Sequence, residues 1–84
     1  MMSKEDVLKV IKANIVAAVD DISAEQIDAS KAMSEYGASS LDIVEVVSNS
    51  MRQLKIKIPR TELADIKNID GLADTFCQYA SQGK

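Results

Sequence analysis

Apolar residues recur at helical spacing in three stretches of the chain, and these stretches predict its main helices. The first begins after Ser3, which forms a Ser-x-x-acid capping pattern with Asp6. Its apolar stripe repeats at steps that place side chains on one helical face: Val7, Leu8, Val10, Ile11, Ile15 and Val19. The pattern stops at the acidic pair in positions 20 and 21, where the first helix is expected to end.

A second helix is expected to run from the serine pair at positions 39 and 40 to about Leu54. The letters "SSLD" repeat the capping pattern, with Ser39 at the cap and Asp42 at the third helical position. The predicted inward stripe consists of Leu41, Val44, Val47, Met51 and Leu54. Ile43 and Val46 lie off that stripe, so they are either partner contacts or core residues that the preceding loop covers.

The C-terminal part predicts a connector, a short helix and a third main helix. The run "KIKIP" is expected to be extended, with Ile56 and Ile58 inward, because a lone five-residue strand has no partner. Pro59 suits the first turn of a short helix over residues 61–64. Asn68 or Asp70 is expected to cap the last helix, whose inward residues are Ile69, Leu72, Ala73, Phe76 and Tyr79.

Residues 20–39 form a long connection between the first two main helices. Four spaced apolar residues predict that it lies over the helices: Ile22, Ile27, Met33 and Tyr36. Gly37 ends the connection at a tight turn that needs the freedom of glycine. The predicted fold is all-α, a small antiparallel bundle of three main helices plus one short helix, with this loop between helices one and two.

The composition excludes several kinds of functional site but does not indicate a particular activity. The 84 residues predict one domain, and 46% hydrophobic with 27% charged residues is typical of an ordered globular chain. With no histidine and one cysteine, a His-dependent triad, a disulfide within the chain and a usual zinc site are excluded, so no metal is expected. The charged N-terminus and the lack of an apolar run of about 20 residues favour a cytoplasmic chain without membrane insertion.

Acidic and basic residues are separated along the middle of the chain. Acids dominate residues 20–45, and four bases lie between positions 52 and 60: Arg52, Lys55, Lys57 and Arg60. This separation indicates either ordinary solvated faces or a protein-docking surface steered by charge. The net charge of −3 and the short basic cluster argue against nucleic acid as a partner.

Ser40 has two interpretations. In the first, Ser39 caps the helix, Ser40 is merely tolerated as the first helical residue, and no chemistry follows. In the second, Ser40 is an attachment point, because it stands exposed where free amides and the helix dipole favour a phosphate group.

The stretch "YGASSLDIVEVV" resembles the modification motif of acyl carrier proteins, commonly Leu-Gly-Ala-Asp-Ser-Leu followed by an acidic, apolar helix. The order of the predicted elements is similar over nearly the whole chain, which implies a single acyl-carrier-like domain over residues 1–84. The resemblance implies that Ser40 receives 4′-phosphopantetheine from coenzyme A through a separate transferase that supplies magnesium. The chain would then carry acyl groups as thioesters and would not be an enzyme.

The resemblance also implies partners and a docking surface. The partners are a phosphopantetheinyl transferase and an acyltransferase, a ketosynthase or related biosynthetic enzymes, and the carrier is expected to be a monomer. The implied docking residues are Ser39, Leu41, Asp42, Ile43, Glu45 and Val46.

Two departures from the family favour a specialised carrier. Ser39 replaces the usual aspartate, and bases follow the acidic start of helix two. The stretch "IPRTELADIKNIDGLAD" resembles stand-alone carriers of polyketide pathways, particularly those that serve β-branching. Polyketide or specialised fatty-acid biosynthesis is therefore expected; the alternatives are an aminoacyl or peptidyl carrier, and a helical adaptor without a prosthetic group.

Overall fold

The fold is all-helical in the residues that a computed structural model describes, which are 3–19, 22–63, 66 and 68–82. Its helices are α1 (Lys4–Ala18), α2 (Ser40–Leu54), α3 (Arg60–Leu63) and α4 (Ile69–Gln82). No residue in these ranges forms a strand. The predicted class, a small bundle of three main helices and one short helix, is confirmed. The acidic pair at 20 and 21 and the expected end of the short helix at Ala64 lie outside the described residues.

Helix α1 is the element against which both α2 and α4 pack. Ser3 caps it as predicted, since the Ser3 hydroxyl accepts a hydrogen bond from the Asp6 amide at 3.2 Å. Val7, Ile11 and Ile15 are fully buried and form its core-facing stripe. Removing this apolar area from water is the main force that holds the helices together.

Helix α2 has the predicted bounds but turns a different face to the core. Leu41 and Val44 were predicted to face inward, yet they are 81% and 57% exposed. Val46, predicted to lie off the buried stripe, is fully buried beside Val47. Because α2 has apolar residues on two faces, helical spacing alone permits both orientations.

Asn14 shows what selects the observed orientation of α2. Its side-chain nitrogen lies 3.0 Å from the Val10 carbonyl oxygen, the Ser50 hydroxyl and the Gln53 side-chain oxygen. Asn14 and Ser50 are both buried, and burying either without a hydrogen-bond partner would be costly. The contact therefore favours the arrangement in which Ser50, and with it Val46 and Val47, faces α1.

The long loop lies over the helices, as its apolar residues predict. Ile27 and Met33 are buried, and short 3-10 turns form at Ala24–Gln26 and Met33–Tyr36. The loop also bonds to α4: the amides of Ile69 and Asp70 donate to the carbonyls of Lys31 and Ala29 at 3.1 and 2.7 Å. The loop thus satisfies two donors that the first turn of α4 would otherwise leave free.

The segment after α2 is extended, as predicted, with Ile56 and Ile58 buried and Lys57 exposed. Lys55 ends α2 in the left-handed conformation, with φ of 57°. That conformation is strained for a residue with a side chain and is most often taken by glycine at helix ends.

Helix α4 confirms the prediction for the C-terminal segment. The Asn68 side chain accepts a hydrogen bond from the Gly71 amide at 2.7 Å, so Asn68 is the cap. The predicted core residues Ile69, Leu72, Ala73 and Phe76 are all fully buried. At the same end, the Lys4 ammonium pairs with Asp70 and Asp74 at 2.8 and 2.9 Å, which connects the start of α1 to that of α4.

Candidate functional site

The candidate site is the junction between the long loop and α2. Gly37 takes the left-handed conformation, with φ of 89°, directly after the 3-10 turn Met33–Tyr36. Nothing lies within 4 Å of where a Cβ would stand, so the backbone angle, not crowding, favours glycine here. Ala38 is then buried, and the chain emerges at Ser39 and Ser40, which are both exposed.

Ser39 serves the helix start. Its hydroxyl accepts from the Asp42 amide at 3.2 Å, and the Asp42 carboxylate accepts from the Ser39 amide at 2.9 Å. The Ser39 carbonyl also accepts from the Ile43 amide at 2.9 Å. The predicted capping box is therefore confirmed, and it uses both the side-chain hydroxyl and the backbone amide of Ser39.

Ser40 is the first residue of α2, and the hydrogen bonds of the described residues leave its hydroxyl without a partner. The amides of Ser40 and Leu41 also have no acceptor among those residues. Unsatisfied amides at the positive end of a helix are suited to bind the oxygen atoms of a phosphate group. A phosphodiester on the Ser40 hydroxyl would lie beside such donors in open solvent, so the junction fits a phosphate-linked group.

The loop beside this junction is held by local hydrogen bonds. The Asp28 amide donates to the Tyr36 hydroxyl at 2.6 Å, and the Glu35 carboxylate accepts from the Ala32 amide at 3.0 Å. The Ser30 hydroxyl and amide both donate to the Asp28 carboxylate, which lowers the pKa of Asp28 below its ordinary value. These contacts link the part of the loop around Asp28 to the 3-10 turn that precedes Ser40.

The outer face of α2 presents apolar and acidic groups next to Ser40. Leu41 and Val44 are its exposed large hydrophobic side chains. Glu45, four residues after Leu41, is also exposed. Asp42 and Ile43 are partly buried at the edge of this face. Neighbouring exposed apolar side chains of this size on one helix face are suited to a protein contact.

One expected docking residue is corrected and one is added. Val46 is fully buried, so it belongs to the core because α2 packs on α1 with that face. Val44 was absent from the expected docking residues, although it lies on the same face as Leu41. Its position three residues after Leu41 is a helical neighbour spacing and was the signal that could have identified it.

The groups around Ser40 are arranged to present a hydroxyl and not to activate it. Asp42, the acid two residues after Ser40, accepts a hydrogen bond from the Ser39 amide with its carboxylate and donates its own amide to the Ser39 hydroxyl. Across the part of the chain that the structure describes, no group of three or more acidic, cysteine or histidine side chains could hold a metal ion. No described helix is long and apolar enough to cross a membrane.

Comparison with known proteins identifies related sequences over most of the chain. Residues 13–76 match the family described as a phosphopantetheine attachment site, and Ser40 lies within that range. The chain is 32% identical over 75 residues to the polyketide biosynthesis acyl-carrier-protein AcpK of Bacillus subtilis (strain 168). That alignment covers 89% of this chain and 92% of the relative. No solved structure matches the chain significantly.

Proposed function

The chain belongs to the acyl carrier proteins, the family with a phosphopantetheine attachment site, and from that premise we propose that Ser40 is the attachment residue. Members of this family are carriers and not catalysts, and they bear a covalent 4′-phosphopantetheine arm. Such a carrier interacts with a phosphopantetheinyl transferase and with biosynthetic enzymes.

The observation that carries the assignment is the difference between two adjacent serines. The Ser39 hydroxyl is bound to the Asp42 amide, whereas the Ser40 hydroxyl is exposed and makes no hydrogen bond with a described residue. Modification of Ser39 would break the helix cap, while modification of Ser40 leaves every described contact in place. This difference supports Ser40 over its neighbour.

In the proposed modification, the Ser40 oxygen attacks the phosphorus of coenzyme A that carries the pantetheine. A phosphate ester bond to Ser40 forms, and the phosphoanhydride bond breaks with release of adenosine 3′,5′-bisphosphate. The hydroxyl proton passes to the transferase, which also supplies magnesium. The free amides of Ser40 and Leu41 favour the negative charge of the new phosphodiester. Once attached, the arm supplies a terminal thiol on which acyl groups are held as thioesters.

We propose acyl intermediates of polyketide biosynthesis as the cargo. The support is the similarity to a Bacillus subtilis protein that is named as a polyketide biosynthesis acyl carrier. A role in β-branching, a cytoplasmic location and a monomeric state are further parts of the proposal. The acyltransferase and the ketosynthase are the proposed partners beyond the transferase, and they would dock on an outer surface formed by Ser39, Leu41, Asp42, Ile43, Val44 and Glu45.

Intact mass spectrometry tests the attachment site. The purified chain is incubated with coenzyme A, magnesium and a broad-specificity phosphopantetheinyl transferase, beside Ser40→Ala and Ser39→Ala. The wild type and Ser39→Ala are expected to gain one phosphopantetheine, and Ser40→Ala none. If the folded wild type gains no mass with transferases from several pathways, Ser40 is only the first residue of the helix. The alternative of a helical adaptor without a prosthetic group would then be favoured.

A loading assay distinguishes an acyl carrier from an aminoacyl carrier. The modified chain is offered to an acyltransferase with malonyl coenzyme A and, separately, to amino-acid-activating enzymes with ATP and amino acids. A thioester formed with the acyl donor alone supports the proposed cargo class. Loading with an amino acid alone would contradict it while leaving the Ser40 assignment intact.

A further inference from the structure

The outer face of α2 changes charge along its length. Leu41, Val44 and Glu45 lie at the end that begins with Ser40, and Arg52 and Lys55 lie at the other end. Leu41, Glu45 and Arg52 follow one another at steps of four and seven residues, and Val44 lies three residues after Leu41, so these four share one side of the helix. Lys55 is the residue at which α2 ends. Lys57 follows in the extended segment after α2, where it is exposed between two buried isoleucines. We call Arg52, Lys55 and Lys57 the basic end.

Neither end of this face neutralises the other. Glu45 and Arg52 are two helical turns apart, about 10 Å along the axis, which is too far for an ion pair on one helix. The ion pairs within the described residues are those of Lys4 with Asp70 and Asp74. The three exposed cations of the basic end are therefore available to a partner in solution.

The backbone at Lys55 adds a second observation. Lys55 is the one described residue other than glycine with a positive φ, at 57°. Glycine or asparagine would take this conformation with less strain, and the long Lys55 side chain makes no hydrogen bond with a described residue. A cation therefore stands at the C-terminal end of α2, three residues after Arg52, at some cost in backbone energy.

A partner that reaches Ser40 along this face also covers the basic end. A protein interface of standard size buries about 800 Å² on each partner, a patch about 30 Å across. The 15 residues of α2 span about 22 Å. An enzyme centred on the outer face therefore contacts both ends, and its orientation is fixed by which charges oppose them.

We propose that the basic end binds an acidic patch on the acyltransferase that loads the carrier, and so fixes the orientation in which that enzyme docks. A loading enzyme meets an arm that bears no cargo, so the carrier surface must supply the recognition. Its complementary surface has basic or apolar groups opposite Glu45 and Leu41, and carboxylates opposite Arg52 and Lys55. This inference rests on the proposed function at Ser40.

The test uses the phosphopantetheine-bearing protein and the acyltransferase of its own pathway. The double variant Arg52→Gln/Lys55→Gln is compared with Lys9→Gln/Lys12→Gln, which removes the same charge from α1. Each variant is first checked by circular dichroism for its fold and by intact mass for full modification. A wild type that cannot be modified would overturn the assignment of Ser40 before any loading is measured, so the two failures are distinguishable.

The basic-end variant is expected to raise the KM of the acyltransferase for the carrier about tenfold at low salt, with kcat unchanged. Two exposed ion pairs account for a change of that size. The difference should shrink in about 0.5 M salt because salt screens exposed charges. The α1 control is expected to stay within about twofold of the wild type.

Lys55→Gly separates docking from a structural role. It relieves the positive φ, so stability is expected to be kept or raised, while KM is expected to rise about threefold. An unchanged KM in both variants would overturn the proposal and leave these cations as favourable charges at a helix C-terminus. A lower KM would also overturn it, because it would mean that the enzyme presents basic groups there.

Discussion

Helices α1 and α2 begin with the same type of cap, but the residue that follows the cap makes different contacts in each. In each, a serine hydroxyl accepts from the amide of an aspartate three residues later, at 3.2 Å in both cases. After the cap, α1 continues with Lys4, whose ammonium binds Asp70 and Asp74. Helix α2 continues with Ser40, whose hydroxyl makes no hydrogen bond with a described residue.

This difference teaches that the cap does not make the site. A Ser-x-x-Asp pattern secures a helix start wherever it occurs. What distinguishes α2 is the serine placed directly after the cap and the exposed Leu41 and Val44 on the adjoining face. The start of α1 is joined to α4 by the ion pairs of Lys4, and the ion pairs of the described residues do not involve the start of α2.

The largest expected effect comes from moving the serine between the two helix starts. Lys4→Ser combined with Ser40→Ala places a capped serine on α1 and removes the one on α2. We expect complete loss of phosphopantetheine addition by intact mass, because α1 lacks the exposed apolar face that follows Ser40. Lys4→Ser alone, as the control, should gain one arm. Modification of the double variant would mean that a capped serine is sufficient.

Removal of each cap should lower the stability by a similar amount. Ser39→Ala and Ser3→Ala are each expected to lower the free energy of unfolding by about 0.5–2 kcal/mol. Each substitution removes one hydroxyl that accepts one amide hydrogen bond, because the second bond of the Ser39 cap comes from the backbone amide, which alanine keeps. Urea unfolding monitored by circular dichroism measures both. A loss in one variant more than twice that in the other would contradict the reasoning.

Restoring the aspartate that the family usually has before the modified serine should sharpen the comparison. Ser39→Asp keeps the cap and adds a negative charge at a helix start, for a gain of about 0.3–1 kcal/mol. We expect kcat/KM for the transferase to rise about two- to fivefold at low salt, as one exposed charge pair would give. Ser3→Asp is the matched control, with a similar gain in stability and no change in modification. A rate unchanged in Ser39→Asp would show that the transferase does not use this charge.

The smallest effect is expected from the Lys4 contact. Hydrogen bonds to Asp70 and then Asp74 raise the Lys4 pKa above its ordinary value of 10.5. A raised pKa means that the stabilisation is present below the ordinary value and is lost as pH rises through the folded-state pKa. Lys4→Gln should therefore lower thermal stability slightly and by the same amount from about pH 6 to pH 9, and high salt should remove the difference. A loss that grows between those pH values would contradict this account.

Much of the fold could be predicted because several local signals agree. The capping box at Ser39, the cap at Asn68 and the alternation around Ile56 and Ile58 each specify a local structure without help from the rest of the chain. The position of the long loop over the helices was also predictable, because burying Ile27 and Met33 removes apolar surface from water and is therefore favourable.

The orientation of α2 could not be predicted from spacing. Two apolar faces compete in that helix, and the contact of Ser50 with Asn14, distant in sequence, selects one of them. Neither residue is conspicuous in the sequence, because serine and asparagine are usually exposed. For the same reason Val44 was predicted in the core, although the structure exposes it, and Val46, for which both a core and a docking position were open, is in the core.

The hydrogen bonds from Ile69 and Asp70 to the loop carbonyls couple the loop to the first turn of α4. The bonded residues are about forty positions apart, so we expect these contacts to form after the local turns of the helices. Any opening of the loop must release the first turn of α4 at the same time. The rate at which these two amides exchange with deuterated water would therefore report how often the loop that precedes Ser40 opens from α4.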